Sequence, residues 1–309
     1  MRLTPVLAGI LLLSGALGSF PASALAQGLP ASLIADPPQD KAHPAGMIAF
    51  ALPTHGVKIN ALLYTAAGKR PHPTVLLLHG FPGNEQNLDL ARAMQREGWN
   101  VLTMHYRGAW GSRGDYSFTH CIEDAQAALA WLRAPDGEAA SHIDPTRIAI
   151  AGHSLGGFVT AYVAGHDTKL MGAALISAWD ISHTDGTLPR DQVIKDNEEN
   201  LENDAGMHTL GDATAAGLAD EILANVQAWD LEKFAPTLAS HPLLVVTSDD
   251  GLGRSDDALA AAVAAVPGAK VTKAHFATDH GYNDQRIGLA AALIRWLETL
   301  PGAPAPAGS

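Results

Sequence analysis

Gly152-His153-Ser154-Leu155-Gly156 is the stretch that most restricts what this chain can fold into. Directly before it, Arg147-Ile148-Ala149-Ile150-Ala151 reads as a strand buried on both faces. Directly after it, Gly157-Phe158-Val159-Thr160-Ala161 opens a helical pattern. The chain must therefore pass from strand to helix within the pentapeptide. A turn that tight holds its apex residue in a strained backbone conformation. Glycines flank the apex because a Cβ there would collide with the adjoining strand or helix. The Ser154 hydroxyl is lifted above the sheet at the amino end of a helix, where developing negative charge is favoured. A serine so placed is set up as a nucleophile, provided that a base and a carboxylate to orient it come within reach.

The surrounding pattern supplies the sheet. Residues 47–52 and 57–64 read as two strands joined at His55-Gly56, an antiparallel opening. Short apolar runs at 74–78, 101–104, 173–176, 243–247 and 271–276 then alternate with helical spacing at 88–96, 121–132, 156–164, 256–266 and 285–297. This alternation predicts the α/β class: a mostly parallel central sheet with helices on both faces, over residues 47–300. Residues 179–241 break the rhythm, being polar, acidic and helical in pattern, notably at 191–204. A structureless loop of that length does not suit a compact domain, so a small helical cap insertion is expected. It follows the strand beside the nucleophile strand, which places Trp179 and Met207 as candidate apolar substrate contacts.

Of the fourteen histidines, His280 stands just after the last strand and before the last helix. That is the carboxyl edge of the sheet, where ligands bind in such folds. The acid should follow strand 243–247, where Asp249 and Asp250 are adjacent. Asp250 is preferred because Gly251-Leu252 follows it, with Asp249 as the alternative. Backbone N–H groups of Leu155 and of Phe81, in the loop after strand 74–78, are the expected oxyanion donors. Gly80 lets that loop approach closely, and Pro82 has no N–H to offer. His79 is expected to pack or hydrogen-bond beneath the loop, and His153 to be the variable residue of the turn.

His79-Gly80-Phe81-Pro82-Gly83, Tyr106-Arg107-Gly108, the serine pentapeptide and Asp279-His280-Gly281 together resemble the α/β-hydrolase superfamily. The likeness is to its single-domain esterases, serine aminopeptidases and prolyl-oligopeptidase-like catalytic domains, and it runs over residues 47–297. The resemblance implies a Ser154, Asp250, His280 triad acting through an acyl-enzyme. It is specific for fold and triad but not for substrate. A carboxylic ester is the favoured substrate. An aminopeptidase, oligopeptidase or amidase is the alternative, with the acidic run Asp196-Asn197-Glu198-Glu199-Asn200 as a candidate for binding a charged terminus. A non-catalytic binding protein on the same fold is the reading of a different class.

Arg2, the apolar stretch 6–20 and Ala24-Leu25-Ala26 read as a signal peptide over residues 1–26, cleaved before Gln27. The apolar run is too short for a membrane anchor, so a periplasmic or secreted protein is expected. Residues 27–46 read as an exposed lead-in and 301–309, rich in Pro, Ala and Gly, as a disordered tail. The single cysteine, Cys121, allows no intramolecular disulfide and is expected to act as a small buried hydrophobe. A net charge of −12 without any Lys/Arg run argues against nucleic acid or anionic lipid, leaving a small molecule or short peptide as partner. No His-Glu-x-x-His, Cys-x-x-Cys or post-strand Gly-x-Gly-x-x-Gly is present, so neither a metal nor a cofactor is expected.

Overall fold

Val75, Leu76, Leu77 and Leu78 are all buried, as a strand covered on both faces requires. They belong to an eight-stranded sheet in a computed structural model that describes residues 28–134, 142–182, 189, 191–192, 195 and 206–305. The strands are β1 (Gly46–Thr54), β2 (Val57–Thr65), β3 (His72–Leu78), β4 (Asn100–Met104), β5 (Ile143–His153), β6 (Ala173–Ile176), β7 (Pro242–Ser248) and β8 (Lys270–Phe276). Their spatial order is β1-β2-β4-β3-β5-β6-β7-β8. Strand β2 runs against both β1 and β4, and every other neighbouring pair is parallel. The chain therefore has the mostly parallel α/β architecture expected from the alternation.

The helices are α1 (Ala31–Ile34), α2 (Leu88–Arg96), α3 (Phe118–Arg133), α4 (Leu155–Ala164), α5 (Ala215–Asn225), α6 (Ala235–Leu238), α7 (Gly253–Ala264) and α8 (Arg286–Glu298). The two-residue period of the strands divides the core into two layers. Leu76, Leu78, Ile148 and Ile150 face α3, α4 and α7, where Cys121 is fully buried. Val75, Leu77, Ala149 and Ala151 face α2 and α8, through Leu90, Met94, Leu289 and Leu293.

Three expectations about segments change. The lead-in is not simply exposed. Residues 31–34 form α1, with Ser32 buried, its carbonyl accepting from Arg96 Nε, and Leu33 packed on the α2–α8 core. An apolar side chain there finds a shelf between two helices, although Leu29 and Ile34 stay exposed. The beginning of the tail is docked too. Ala303 packs on the same core, and Gly302 O accepts from Arg147 Nη1 at 3.0 Å. The insertion, finally, is only partly a cap. Leu231, Ala235 and Leu238 are buried against α4 and α7, so residues 229–238 belong to the helical layer of the main core. The expected signal peptide, the acidic run Asp196-Asn197-Glu198-Glu199-Asn200 and residues 306–309 lie outside the described residues.

The chain between β4 and α3 is fixed by one buried carboxylate. Asp124 of α3 accepts from Arg107 N, Arg107 Nε and Thr54 Oγ1, each at 2.7 Å. It thereby ties the β1–β2 hairpin and the loop after β4 to one helix. Asp124→Ala should cost about 2–4 kcal/mol, because it strips Arg107 N and Nε and the Thr54 hydroxyl of a buried acceptor, while Glu123 still pairs with Arg107 Nη2. Chemical denaturation checks this, and a loss under about 1 kcal/mol would mean that Arg107 re-solvates without strain.

Candidate active site

Ser154 stands at φ 57°, ψ −121°, a region that side-chain-bearing residues rarely occupy. Such a conformation costs about 1–3 kcal/mol and persists only where its surroundings over-determine it. Here they do. Ser154 N donates to Ile176 O at 2.9 Å, while Ser154 O accepts from Gly157 N at 2.9 Å and Trp179 N at 3.0 Å. A Cβ on Gly152 would lie 2.0 Å from Gly156 O, and one on Gly156 would lie 2.4 Å from Leu78 O. The serine is not an exposed tip, because only 8% of its surface is accessible. The loop after β3 covers it so closely that a Cβ on Gly80 would lie 2.9 Å from Ser154 Cβ.

That loop carries Phe81, and α4 begins at Leu155. No carbonyl among the described residues accepts the N–H of either. The loop rests on His79, whose Nδ1–H donates to Gly80 O at 2.7 Å. The His79 ring lies 4.6 Å from the Tyr106 ring and 5.1 Å from the His105 ring. Burial pulls its pKa down to about 4, with His105 adding to the effect against the Gly80 hydrogen bond, so it supports the loop as a neutral ring. Trp110 Nε1 donates to Pro82 O at 3.0 Å and braces the loop from outside.

The structure brings Asp250, and not Asp249, to His280. His280 Nδ1 lies 2.7 Å from Asp250 Oδ2, and Leu252 N donates to Asp250 Oδ1 at 2.9 Å. Burial raises the Asp250 pKa, but hydrogen bonds from His280, Leu252 N and the Ser177 and Ser248 hydroxyls outweigh it and hold the carboxyl below its ordinary range. Those two hydroxyls lie 3.0 Å apart, and Ser177 Oγ is 2.8 Å from Tyr282 OH. Asp249 turns outward, with its carboxylate 3.3 Å from His275 Nε2. Ser154 Oγ makes no hydrogen bond to His280 in the structure, and in such sites this contact commonly tightens only around substrate. The His280 ring instead packs on that of His153, with centroids 4.6 Å apart.

Trp179 and Met207 both lie on this edge. Trp179 is half-buried, its ring edge-on to Phe81 at 6.4 Å and to Phe118 at 5.7 Å. Met207 opens a short 3-10 turn after Gly206, where a Cβ would lie 2.1 Å from Pro82 Cγ. A cavity of about 540 Å³ lined by Pro53, His55, Lys58 and Trp131 shares no residue with this site. His153, Ser177 and Tyr282 are the participants missed by the local motifs, since what places them is contact across the sheet edge.

Asp256, in the first turn of α7, is a second carboxylate at this edge. It accepts from Ala178 N at 3.0 Å. Burial pushes its pKa up to about 8, against the Ala178 hydrogen bond and with the help of Asp250, Asp180 and Asp257. A folded pKa above the unfolded one means that the folded state holds the extra proton. Stability from this group is therefore full in acid and is lost as pH rises through about 8. Asp256→Asn, neutral at every pH, should gain in melting temperature relative to wild type between about pH 5 and about pH 9. A difference that stays constant with pH would show that Asp256 does not titrate in the folded protein.

A family model described as alpha/beta hydrolase fold matches residues 73–283, and the chain belongs to that family. Among solved structures it is similar to EstE1, a thermostable carboxylesterase cloned from a metagenomic library. The TM-score is 0.58 at 24% identity, over 82% of this chain and 90% of that one, and at such identity the likeness is one of fold. It is 33% identical to an uncharacterized protein of Mycobacterium tuberculosis over 122 residues, which are 39% of this chain and 42% of that one. It is 25% identical to the lysophosphatidylserine lipase ABHD12 of Danio rerio over 259 residues, 79% of this chain and 62% of that one. The matches thus span less than two thirds of either relative's length.

Proposed function

We propose that the chain is an exported serine hydrolase that cleaves a carboxylic ester through an acyl-enzyme on Ser154. The observation that carries this is the Asp250–His280 pair, 2.7 Å apart, beside a strained serine at the amino end of α4. Since a carboxylate only accepts, His280 carries its proton on Nδ1, and Nε2 keeps the lone pair that a serine hydroxyl needs. His280 takes the Ser154 proton as the oxygen attacks the ester carbonyl, and returns it to the leaving alcohol. Asp250 holds the tautomer and offsets the imidazolium charge. The Phe81 and Leu155 N–H groups receive the oxyanion. Water then attacks the acyl-enzyme with His280 as base, and Ser154 leaves.

The half-buried faces of Phe81 and Trp179 flank Ser154 and suit an apolar acyl or alcohol group, with Met207 beside them. The similarity to a lipase over 79% of the chain points the same way. Export rests on Arg2, the apolar stretch 6–20 and Ala24-Leu25-Ala26. Mass spectrometry of the exported protein should find Gln27 at its amino terminus.

Acyl nitrophenyl esters assayed against aminoacyl anilides test the substrate class, with turnover of the esters expected. Ser154→Ala should abolish turnover and labelling by a fluorophosphonate while leaving the fold intact. Asp250→Asn should lower kcat about 10³–10⁴-fold, while Asp249→Asn stays within a few-fold of wild type. Retention of more than a few per cent of activity by Ser154→Ala would refute the mechanism. Preferential turnover of the anilides would move the chain to the peptidases.

A further inference from the structure

His153 precedes the nucleophile and makes contacts that its place in the turn does not require. Its ring packs against the His280 ring, with centroids 4.6 Å apart and planes inclined by 39°. Its Nε2 lies 2.8 Å from the main-chain carbonyl oxygen of His280. A carbonyl accepts only, so that nitrogen carries the proton and His153 is the donor. The Tyr282 ring stands edge-on to it at 6.4 Å. A buried side chain on the elbow thus grips, through both ring and backbone, a residue 127 positions away on the loop after β8.

We propose that His153 is a positioning residue for the proton transfer between Ser154 and His280, an inference that rests on the serine-hydrolase function proposed above. The His280 side chain is 40% exposed, and its ring hydrogen-bonds to Asp250 through Nδ1. That bond sets the ring's tautomer and tilt but not the distance of the whole loop from the elbow. Within the loop, Tyr282 N donates to Asp279 O at 3.0 Å and Arg286 Nη1 to Gly281 O at 3.1 Å. These bonds shape the loop, while Asp249 N to Thr278 O and Tyr282 OH to Ser177 Oγ fasten it to the ends of β7 and β6. The His153–His280 hydrogen bond is the tie to the elbow itself, because residue 153 is covalently joined to the nucleophile. It sets how far His280 Nε2 stands from Ser154 Oγ.

The ring that makes this tie must not become a cation next to the imidazolium that forms in turnover. The charged and titratable groups facing His153 are His280, Arg286, Asp250 and the edge-on Tyr282. Burial first, then His280, pulls the His153 pKa down to about 4, and Arg286 adds to the effect against Asp250 and the backbone hydrogen bond. His153 is therefore neutral at neutral pH.

Three proteins test the proposal: wild type, His153→Phe and His153→Gln. Phenylalanine keeps the ring packing and loses the donor, whereas the glutamine amide offers an N–H to the same carbonyl. A misplacement of about an ångström at a reacting pair can cost about 10²-fold in rate. His153→Phe should therefore lower kcat on a nitrophenyl ester by about 10–100-fold, with KM within about two-fold, and slow fluorophosphonate labelling in parallel. The downfield Nδ1–H proton resonance of His280 should persist in that variant, since Asp250 still holds it. His153→Gln should recover most of kcat. If wild type itself resists the fluorophosphonate, the serine-hydrolase function falls and this inference falls with it. If wild type is labelled and His153→Phe matches its rate, this inference alone is overturned. Equal loss in Phe and Gln variants, tracking a fall in melting temperature, overturns it as well, because His153 would then be only a packing residue.

Discussion

Strand β3, strand β5 and helix α4 cross so closely that no side chain fits between them. Gly156 O passes 2.0 Å from where a Cβ on Gly152 would stand, and Leu78 O passes 2.4 Å from where one on Gly156 would stand. That crossing forces Ser154 into its strained conformation and holds it there, with both the N–H and the carbonyl of its backbone occupied. It also brings the loop after β3 against the serine side chain, since the loop begins at the strand end that α4 presses upon. The loop that carries Phe81, the Ser154 backbone and the start of α4 are therefore placed by one packing event.

The second determinant is electrostatic. Asp250 and Asp256 belong to the same edge of the sheet, yet their environments push them apart. Asp250 collects donors from His280, the Leu252 N–H and two serine hydroxyls, which keep it ionised despite burial. Asp256 collects the Ala178 N–H and faces three carboxylates, so burial prevails and its pKa rises to about 8. One carboxylate is thus prepared to oppose a developing imidazolium, while the other is stable when neutral and anchors the Ser177–Trp179 backbone. The Ala178 N–H held by Asp256 and the Trp179 N–H given to Ser154 O are adjacent, so this neutral carboxyl also steadies the elbow.

What the sequence made legible was whatever depends on local geometry. The elbow could be read because strand, glycines, serine and helix are contiguous. His280 could be read because the last loop of an alternating α/β pattern must emerge at the carboxyl edge. The choice between Asp249 and Asp250 could not be made locally. Both lie in one turn, and only the register of β7 against β8 turns one inward to His280 and the other outward to His275. His153 was passed over for the same reason. Its partner is distant in sequence, and a variable position in a turn carries no period or cap to reveal it. The lead-in and tail were misjudged because composition reports polarity and flexibility. It does not report whether Leu33 or Ala303 will find an apolar shelf made by other helices.

The described part of the insertion is joined to the helical layer and to the loop that carries Phe81. Glu221 of α5 accepts from Phe118 N at 2.9 Å and Thr119 N at 2.8 Å, so its negative charge closes the amino end of α3. Helix α3 in turn holds Arg107 through Asp124, which starts the loop carrying Trp110. Trp110 N donates to Thr209 O at 3.1 Å, and its indole donates to Pro82 O. A closed circuit therefore runs from the insertion through α3 and the loop after β4 to the oxyanion loop, and Gly206 against Pro82 completes it. Its links are backbone contacts, the buried Arg107–Asp124 pair and two side chains that also meet solvent, Glu221 and Trp110. In the hydrolase proposed above, this circuit joins Trp179 and Met207, at the substrate, to Phe81, at the oxyanion. On that proposal, a substrate group that presses on Gly206 also presses on Pro82 beside the Phe81 N–H, so fit at the apolar face and rate at the carbonyl are expected to vary together.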